Sequence, residues 1–517
     1  MTRFTCESAL YFINPHYLTP ASGRLREIFD PATLERVGRM SLGEKADVQA
    51  AVNAANTAQQ QWARVDARSR AARLHELAES IEKAIGLNRE VARLMTLETG
   101  KPFPEAMGEL ANCASVFRYY AEMARDEAGK VAGTTQTGSF QHVRYEPYGV
   151  SVHIMPFNYP ILLMCWTVAA SLAAGNACII KPAESATLCT LKFLSHFTNL
   201  LPGLVCCVPG DALTAQLLVQ SSGTHAVAFT GGIAAAHAVA VTCADLMKPC
   251  VIEAGGSDPM IISKHAPLDV AVAGAVTAAF HLSGQICTSA ERLYVVDDIY
   301  EAFVTRFVEQ TRQLRIGHGL ERSEIGPLVS EAARDKVIRL VEDAVSKGAR
   351  VLCGGRIPQD RPVGWFYEPT ILSGVTGDMA ILQEECFGPV AAVCRVADFD
   401  EAIRRANDSP FGLGASLFST NLTESMEAAE RLEAGMVWIN NPLVDNDALP
   451  LSGWKMSGIG SELGRQGLDA FRRSKMVIID HKPRIQSWWY PYPDSVFHNA
   501  QGEPENTDFI SSHSNVN

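Results

Sequence analysis

From Gly149 onward the chain alternates short apolar runs with helix-length segments, and no other feature restricts its fold as much. Runs at 150–155, 177–181, 204–208, 226–229 and 260–262 are each followed by a longer segment with Gly, Pro or Asn at its edges. Strand–helix alternation of this kind predicts a parallel, doubly wound α/β sheet. A second block follows residue 287, with candidate strands at 292–296, 350–353, 391–395, 414–418 and 436–440. Two sheet-forming blocks imply two α/β domains with a cleft between them. Upstream, 45–97 reads as two helices. Val48, Ala51, Val52 and Ala55 recur at helical spacing, and so do Leu74, Leu77, Ala78 and Ile81.

A chain of 517 residues exceeds what one hydrophobic core supports. Its net charge of −12 disfavours nucleic acid or an anionic membrane as partner. The longest apolar run, 161–174, is shorter than the ~20 residues a membrane span needs, so it reads as a buried helix. Thirteen cysteines, an odd number without a C-x-x-C pair, suit a reducing compartment. Met1-Thr-Arg-Phe-Thr-Cys6 lacks an apolar signal core, so a cytoplasmic location is expected. No metal is expected. The C-terminal segment 483–517 departs from the rest: an aromatic cluster at 488–492 reads as packing on a surface, its own or a neighbour's, and the polar end at 511–517 reads as disordered.

Three local features can carry chemistry. Phe280-His-Leu-Ser-Gly-Gln-Ile-Cys287 puts a thiol between a helix end and a strand, where a domain cleft would lie. A lone cysteine in apolar company is most often inert packing. Val251-Ile-Glu253-Ala-Gly-Gly256 closes an apolar strand with a carboxylate, which is either a cap or a general base with a raised pKa. Ile154-Met-Pro-Phe-Asn158-Tyr-Pro160 offers an amide at a strand end, as a helix cap or as an oxyanion donor.

In order along the chain, Pro156-Phe-Asn-Tyr-Pro160, Lys181-Pro-Ala-Glu184, Phe229-Thr-Gly-Gly232, Glu253-Ala-Gly-Gly256, Gly284-Gln-Ile-Cys287, Glu385-Cys-Phe-Gly-Pro389 and Lys455-Met-Ser-Gly458 resemble the aldehyde dehydrogenase superfamily. The resemblance covers the chain from about residue 25 to 480. It implies a Rossmann-type NAD-binding domain (1–125 and 148–255), a catalytic domain (256–455) and a small β oligomerisation element (126–147 and 456–482). A homodimer or homotetramer is implied with it, and an aldehyde as the small-molecule partner.

The resemblance also implies roles. Cys287 attacks the aldehyde and becomes a thioester; Asn158 and the Cys287 N–H hold the oxyanion. Glu253 activates the hydrolytic water and Glu462 helps relay its proton. Lys181 and Glu184 hold the adenosine ribose, Glu385 and Phe387 place the nicotinamide end, and Pro156, Phe157, Phe229, Gly231 and Gly232 complete the cofactor site. The Glu184 carboxylate repels a 2′-phosphate, which favours NAD while leaving NADP possible. Phe157, Met164, Trp166, His281, Ile286, Thr288 and Leu451 match the family's substrate pocket, an apolar lining that suits a medium-chain, aromatic or semialdehyde substrate. Glu253 argues against the alternative of an acylating, coenzyme A-dependent semialdehyde dehydrogenase. The intact Cys287, Glu253 and Asn158 argue against a catalytically silent family member. The chain departs from the family at Gly232, Ala236, Thr167 and Ser452.

Overall fold

The computed structural model describes residues 4–21, 23–126, 129–486, 488–492 and 497. The end of the tail, expected to be disordered, lies outside them. The described aromatic residues Trp488, Trp489, Tyr490 and Tyr492 are solvent-exposed. Two compact units are present: Met1–Arg125 with Pro147–Phe471, and Asp126–Glu146 with Arg472–Asn517. Residues 456–471, assigned from sequence to the small element, therefore belong to the large unit.

The large unit holds two extended sheets. Their strands are numbered β1 (Tyr11–Ile13), β2 (His16–Leu18), β3 (Val150–Ile154), β4 (Ala177–Lys181), β5 (Val205–Cys207), β6 (Ala226–Thr230), β7 (Cys250–Glu253), β8 (Asp258–Ile262), β9 (Ala290–Val296), β10 (Arg350–Cys353), β11 (Thr370–Ser373), β12 (Val390–Val396), β13 (Gly414–Phe418), β14 (Met436–Ile439) and β15 (Gly458–Ile459). The first sheet runs β2-β1-β5-β4-β3-β6-β7-β15 and the second β10-β11-β12-β9-β8-β13-β14. Strands β3 to β7 pair in parallel. They are buried along almost their whole length, which explains their apolar runs without alternation. Sheet order reverses between β3 and β6, so their carboxyl ends flank a crevice.

Three sequence expectations change. The stretch 45–97 is three helices, Lys45–Trp62, Ala67–Lys83 and Ile85–Thr99, because Asp66 caps the second and Ala84 leaves helical geometry before the third. The run 260–262, grouped with the first block, is β8 at the heart of the second sheet, between β9 and β13. Strand β11 was not anticipated, since Thr370–Ser373 is too short to show a period.

The expected buried helix is Leu162–Ala174, of which only Ala174 is not buried. Its first-turn N–H groups have no local side-chain cap. Glu109 supplies one from the helix Phe103–Asp126: its Oε1 accepts the N–H of Ile161 at 2.8 Å and of Leu162 at 3.0 Å. The other oxygen pairs with the fully buried ammonium of Lys101, which also lies over the Tyr159 ring at 3.8 Å. Removing one partner of a buried pair strands the other charge. Glu109→Ala should therefore destabilise the protein by about 3–5 kcal/mol, read as a lower urea midpoint. An unchanged midpoint would show that the pair does not anchor this helix.

Candidate active site

The site grows from strand ends. Beyond β3 the chain runs through Pro156, Phe157 and Asn158 toward the helix Leu162–Ala174. Asn158 is buried, and its Oδ1 accepts the Tyr159 N–H at 3.0 Å. That bond leaves Nδ2 as the donor offered to the cavity Asn158 lines. Beyond β6, Gly231 and Gly232 lead into the helix Ile233–Asp245. Gly232 is its N-cap, without a side-chain acceptor, and the space where a Cβ on Gly232 would stand is open. A helix N-terminus left open in this way suits a phosphate. Strand β4 ends at Lys181, whose pKa burial lowers to about 8. Glu184 follows, ion-paired with Arg26.

The nucleophile candidate lies on the far side of the same crevice. After the helix Leu268–Phe280, residues Leu282, Ser283 and Gly284 all have positive φ, at 51°, 56° and 71°. This left-handed turn brings the chain round to Cys287, just before β9. Gly284 is required here, because a Cβ would collide with the Gly388 carbonyl. Gly256 is required for a second approach, since a Cβ there would meet the Cys287 carbonyl.

Glu253, the last residue of β7, is buried beside Cys287. Among the described residues neither of its carboxylate oxygens has a hydrogen-bond partner in good geometry. Burial pushes its pKa up to about 7, while nearby Cys287 and Thr230 pull it down. Cys287 is raised well above an ordinary thiol, first by burial and then by the Glu253 charge. Thr230, at the end of β6, donates from Oγ1 to Glu462 Oε1 at 3.4 Å. Glu462 is buried and pushed well upward by burial and by Glu253.

Cys287 stands where two cavities of about 530 Å³ each meet. One is lined by all nine residues expected at a cofactor: Pro156, Phe157, Lys181, Glu184, Phe229, Gly231, Gly232, Glu385 and Phe387, together with Asn158, Glu253 and Cys287. A thiol with a buried carboxylate beside it, between a dinucleotide-shaped crevice and a second cavity, is matched along the chain by one family model. Residues 17–477 match the aldehyde dehydrogenase family. The chain belongs to this family.

Among curated relatives, the chain is 36% identical over 477 residues to retinaldehyde dehydrogenase 3 of Rattus norvegicus, covering 90% of this chain and 92% of that protein. It is 34% identical over 490 residues to betaine aldehyde dehydrogenase of Bacillus subtilis (strain 168), covering 93% and 99%. Among solved structures, betaine aldehyde dehydrogenase from Staphylococcus aureus in complex with NAD+ superposes with a TM-score of 0.89 at 30% identity, covering 94% of this chain and 97% of that one. An NADP-dependent enzyme of E. coli superposes with a TM-score of 0.88 at 32% identity, covering 92% and 98%.

In this aldehyde dehydrogenase the second cavity is lined by Trp166, His281, Ile286, Thr288 and Leu451, as expected from sequence. Met164 is not among its lining residues: it is fully buried in the core, and Leu162, Leu163 and Trp166 of the same helix face the cavity. Phe157 lines the cofactor cavity only. Sequence reading also missed Glu105, Tyr159 and Asp445 in the second cavity and Lys336 in the first. Glu105 is pushed up to about 8 by burial, and its Oε1 lies 3.3 Å from His281 Nδ1. Thr167, where many family members have Lys, lines neither cavity. Its hydroxyl sits 2.8 Å from Nδ1 of His153, a histidine that burial lowers to about 3 and so keeps neutral.

The Glu253 charge raises the Cys287 pKa, so its removal should lower it. Glu253→Gln is expected to move the pH midpoint of Cys287 alkylation by iodoacetamide downward, followed peptide by peptide in a mass spectrometer. A midpoint that stays put or rises would mean that the two groups do not interact.

Proposed function

We propose that the protein oxidises an aldehyde to a carboxylic acid with a nicotinamide dinucleotide, through a thioester on Cys287. The observation that carries this reading is the buried, unpartnered Glu253 carboxylate beside the Cys287 thiol at the junction of two cavities. Native proteins rarely leave a buried carboxylate unsatisfied without a use for it. The first cavity fits the dinucleotide: the open helix end at Gly232 suits its pyrophosphate, Lys181 and Glu184 its ribose, and Glu385 and Phe387 its nicotinamide end. When bound, the dinucleotide supplies the two-electron oxidant. Glu184 supports NAD, as does the NAD+ complex of the Staphylococcus aureus relative. Arg26 beside Glu184 offsets the charge that would repel a 2′-phosphate, so NADP belongs to the same reading.

The chain's own residues perform the remaining steps. Glu253, with a pKa near 7, takes the thiol proton, and the Cys287 sulfur adds to the carbonyl carbon. The Asn158 amide and the Cys287 N–H stabilise the resulting oxyanion. After oxidation, Glu253 first gives up the thiol proton to solvent; it then takes a proton from water, the water oxygen adds to the thioester carbon, and the acid leaves as that proton returns to the sulfur. This second role is what separates hydrolysis from transfer to coenzyme A.

The second cavity supports an aldehyde with an apolar body and no anionic group. Leu162, Leu163, Trp166, Ile286 and Leu451 supply apolar walls, whereas the acidic groups in its lining are the carboxyls of Glu105, Glu109 and Asp445. Among the described residues lining it there is no lysine or arginine to hold a second carboxylate.

Assembly and location belong to the same reading. The three-stranded sheet of Gly129–Val131, Ser139–Pro147 and Arg472–Asp480 exposes Val131, Met476, Ile478 and Ile479, which supports a homo-oligomer. All thirteen cysteines are free thiols, which supports the cytoplasm. No helix among the described residues is long and apolar enough to cross a membrane.

Mixing enzyme, NAD and an apolar aldehyde should give a stoichiometric burst of NADH that Cys287→Ala abolishes while still binding NADH. Retained turnover in that variant would overturn the assignment. Glu253→Gln should cut steady-state hydrolysis by about 10²–10⁴-fold and spare the burst more. The base acts deprotonated, so the hydrolytic rate should fall about tenfold per pH unit below a pH of about 7 and level off above it. A flat profile would exclude Glu253 as the base. In a substrate panel, a carboxylate-bearing semialdehyde should show a higher KM than an uncharged aldehyde of equal length, and Asp445→Asn should narrow that gap. Equal KM values would show that the cavity charge does not select.

A further inference from the structure

We propose that Glu291 is a positioning residue that holds the turn Glu385-Cys386-Phe387 in the shape the cofactor end of the crevice needs. This rests on the reading of that cavity as the dinucleotide site. Glu291 lies in β9, just past Cys287, and its carboxylate is fully buried. Each of its oxygens accepts one backbone N–H of the turn: Oε2 from Cys386 at 2.9 Å and Oε1 from Phe387 at 2.7 Å. Burial raises its pKa, and these two bonds oppose the shift.

The turn does not take this shape by its own preference. Phe387 has φ at 53°, a left-handed conformation that a non-glycine residue adopts at a cost. Two charge-assisted hydrogen bonds from one rigid carboxylate can hold such a backbone in place. The result is visible on the cavity side. The Phe387 ring meets the Phe157 ring edge to face at 5.8 Å, and Glu385 accepts the Gly256 N–H at 3.0 Å. Strand β9 thus carries the nucleophile's loop at its start and the clamp for the cofactor turn in its first residues. One strand sets the position of both relative to the crevice. A shift of the turn would misplace the nicotinamide end against Cys287 without opening the adenosine end at Lys181 and Glu184.

The test uses Glu291→Gln in the full chain, with Glu291→Ala as a second variant. Glutamine keeps the shape and one acceptor but faces the second N–H with its own donor. Hydrogen–deuterium exchange at the amides of Cys386 and Phe387 should accelerate in both variants, with β12 still protected. The NADH burst should slow by about 10²-fold, acquire a primary isotope effect with the deuterated aldehyde, and leave the NADH Kd within about threefold. A slowed exchange-protected turn, or accelerated exchange with an unchanged burst rate, overturns the proposal. So does loss of NADH affinity and thermal stability together with no isotope effect, which marks a merely structural role. If the wild-type enzyme gives no burst with any aldehyde, the dehydrogenase reading has failed instead. The exchange measurement then decides the clamp alone, and unchanged exchange in Glu291→Gln overturns it.

Discussion

Buried glutamates that accept backbone N–H groups from distant segments hold this active site in place. Glu98 takes the N–H of Leu188 and Cys189, both at 2.7 Å. Glu105 takes that of Leu282 at 3.1 Å, Glu109 those of Ile161 and Leu162, and Glu291 those of Cys386 and Phe387. Each meets a place where backbone donors would otherwise lack partners, at a helix start or a left-handed turn. A carboxylate is costly to bury, and burial pushes Glu98 and Glu105 up to about 8. Hydrogen bonds from fixed N–H groups offset part of that cost. Three of the segments so held carry Asn158's neighbours, the approach to Cys287 and the turn at 385–387.

With these segments fixed, topology determines the chemistry. The order reversal between β3 and β6 opens a crevice at their carboxyl ends. Strand β7, next to β6, delivers Glu253 to the same edge. The second sheet brings Cys287 in from the opposite side, ahead of β9. One sulfur is therefore reached from two cavities. The Glu253 carboxylate lines the first of them without a hydrogen-bond partner in good geometry among the described residues.

The parts of this design that are local were legible in the sequence. Strands buried on both faces show as apolar runs, and the motif residues Asn158, Glu253 and Cys287 sit at strand ends where the pattern breaks. Residues that act across the fold were not legible. Glu291 and Phe387 are 96 positions apart, and Glu105 and Leu282 are 177 apart; no spacing signals either contact. Met164 shows a different limit. Matching it by motif placed it in the pocket, but helix geometry turns each residue about 100°, so Leu163 and Trp166 share the cavity face while Met164 points into the core. The separation of 67–83 from 85–99 was hidden because Ala84 interrupts the helix without a glycine or proline to mark it.

A second buried carboxyl, Glu462, lies near Glu253. Leu451 and Glu462 face each other across a short strand pair, so the segment lining the aldehyde cavity also fixes Glu462. Thr230 donates to Glu462 and lies beside Glu253, placing one hydroxyl between two buried carboxyls. Burial and the Glu253 charge push Glu462 well above an ordinary carboxyl, so ionising both together is unfavourable. Glu462 has one oxygen without a partner among the described residues. The buried histidine His153 is held neutral, and its bonds go to Ser151 and Thr167 within the core.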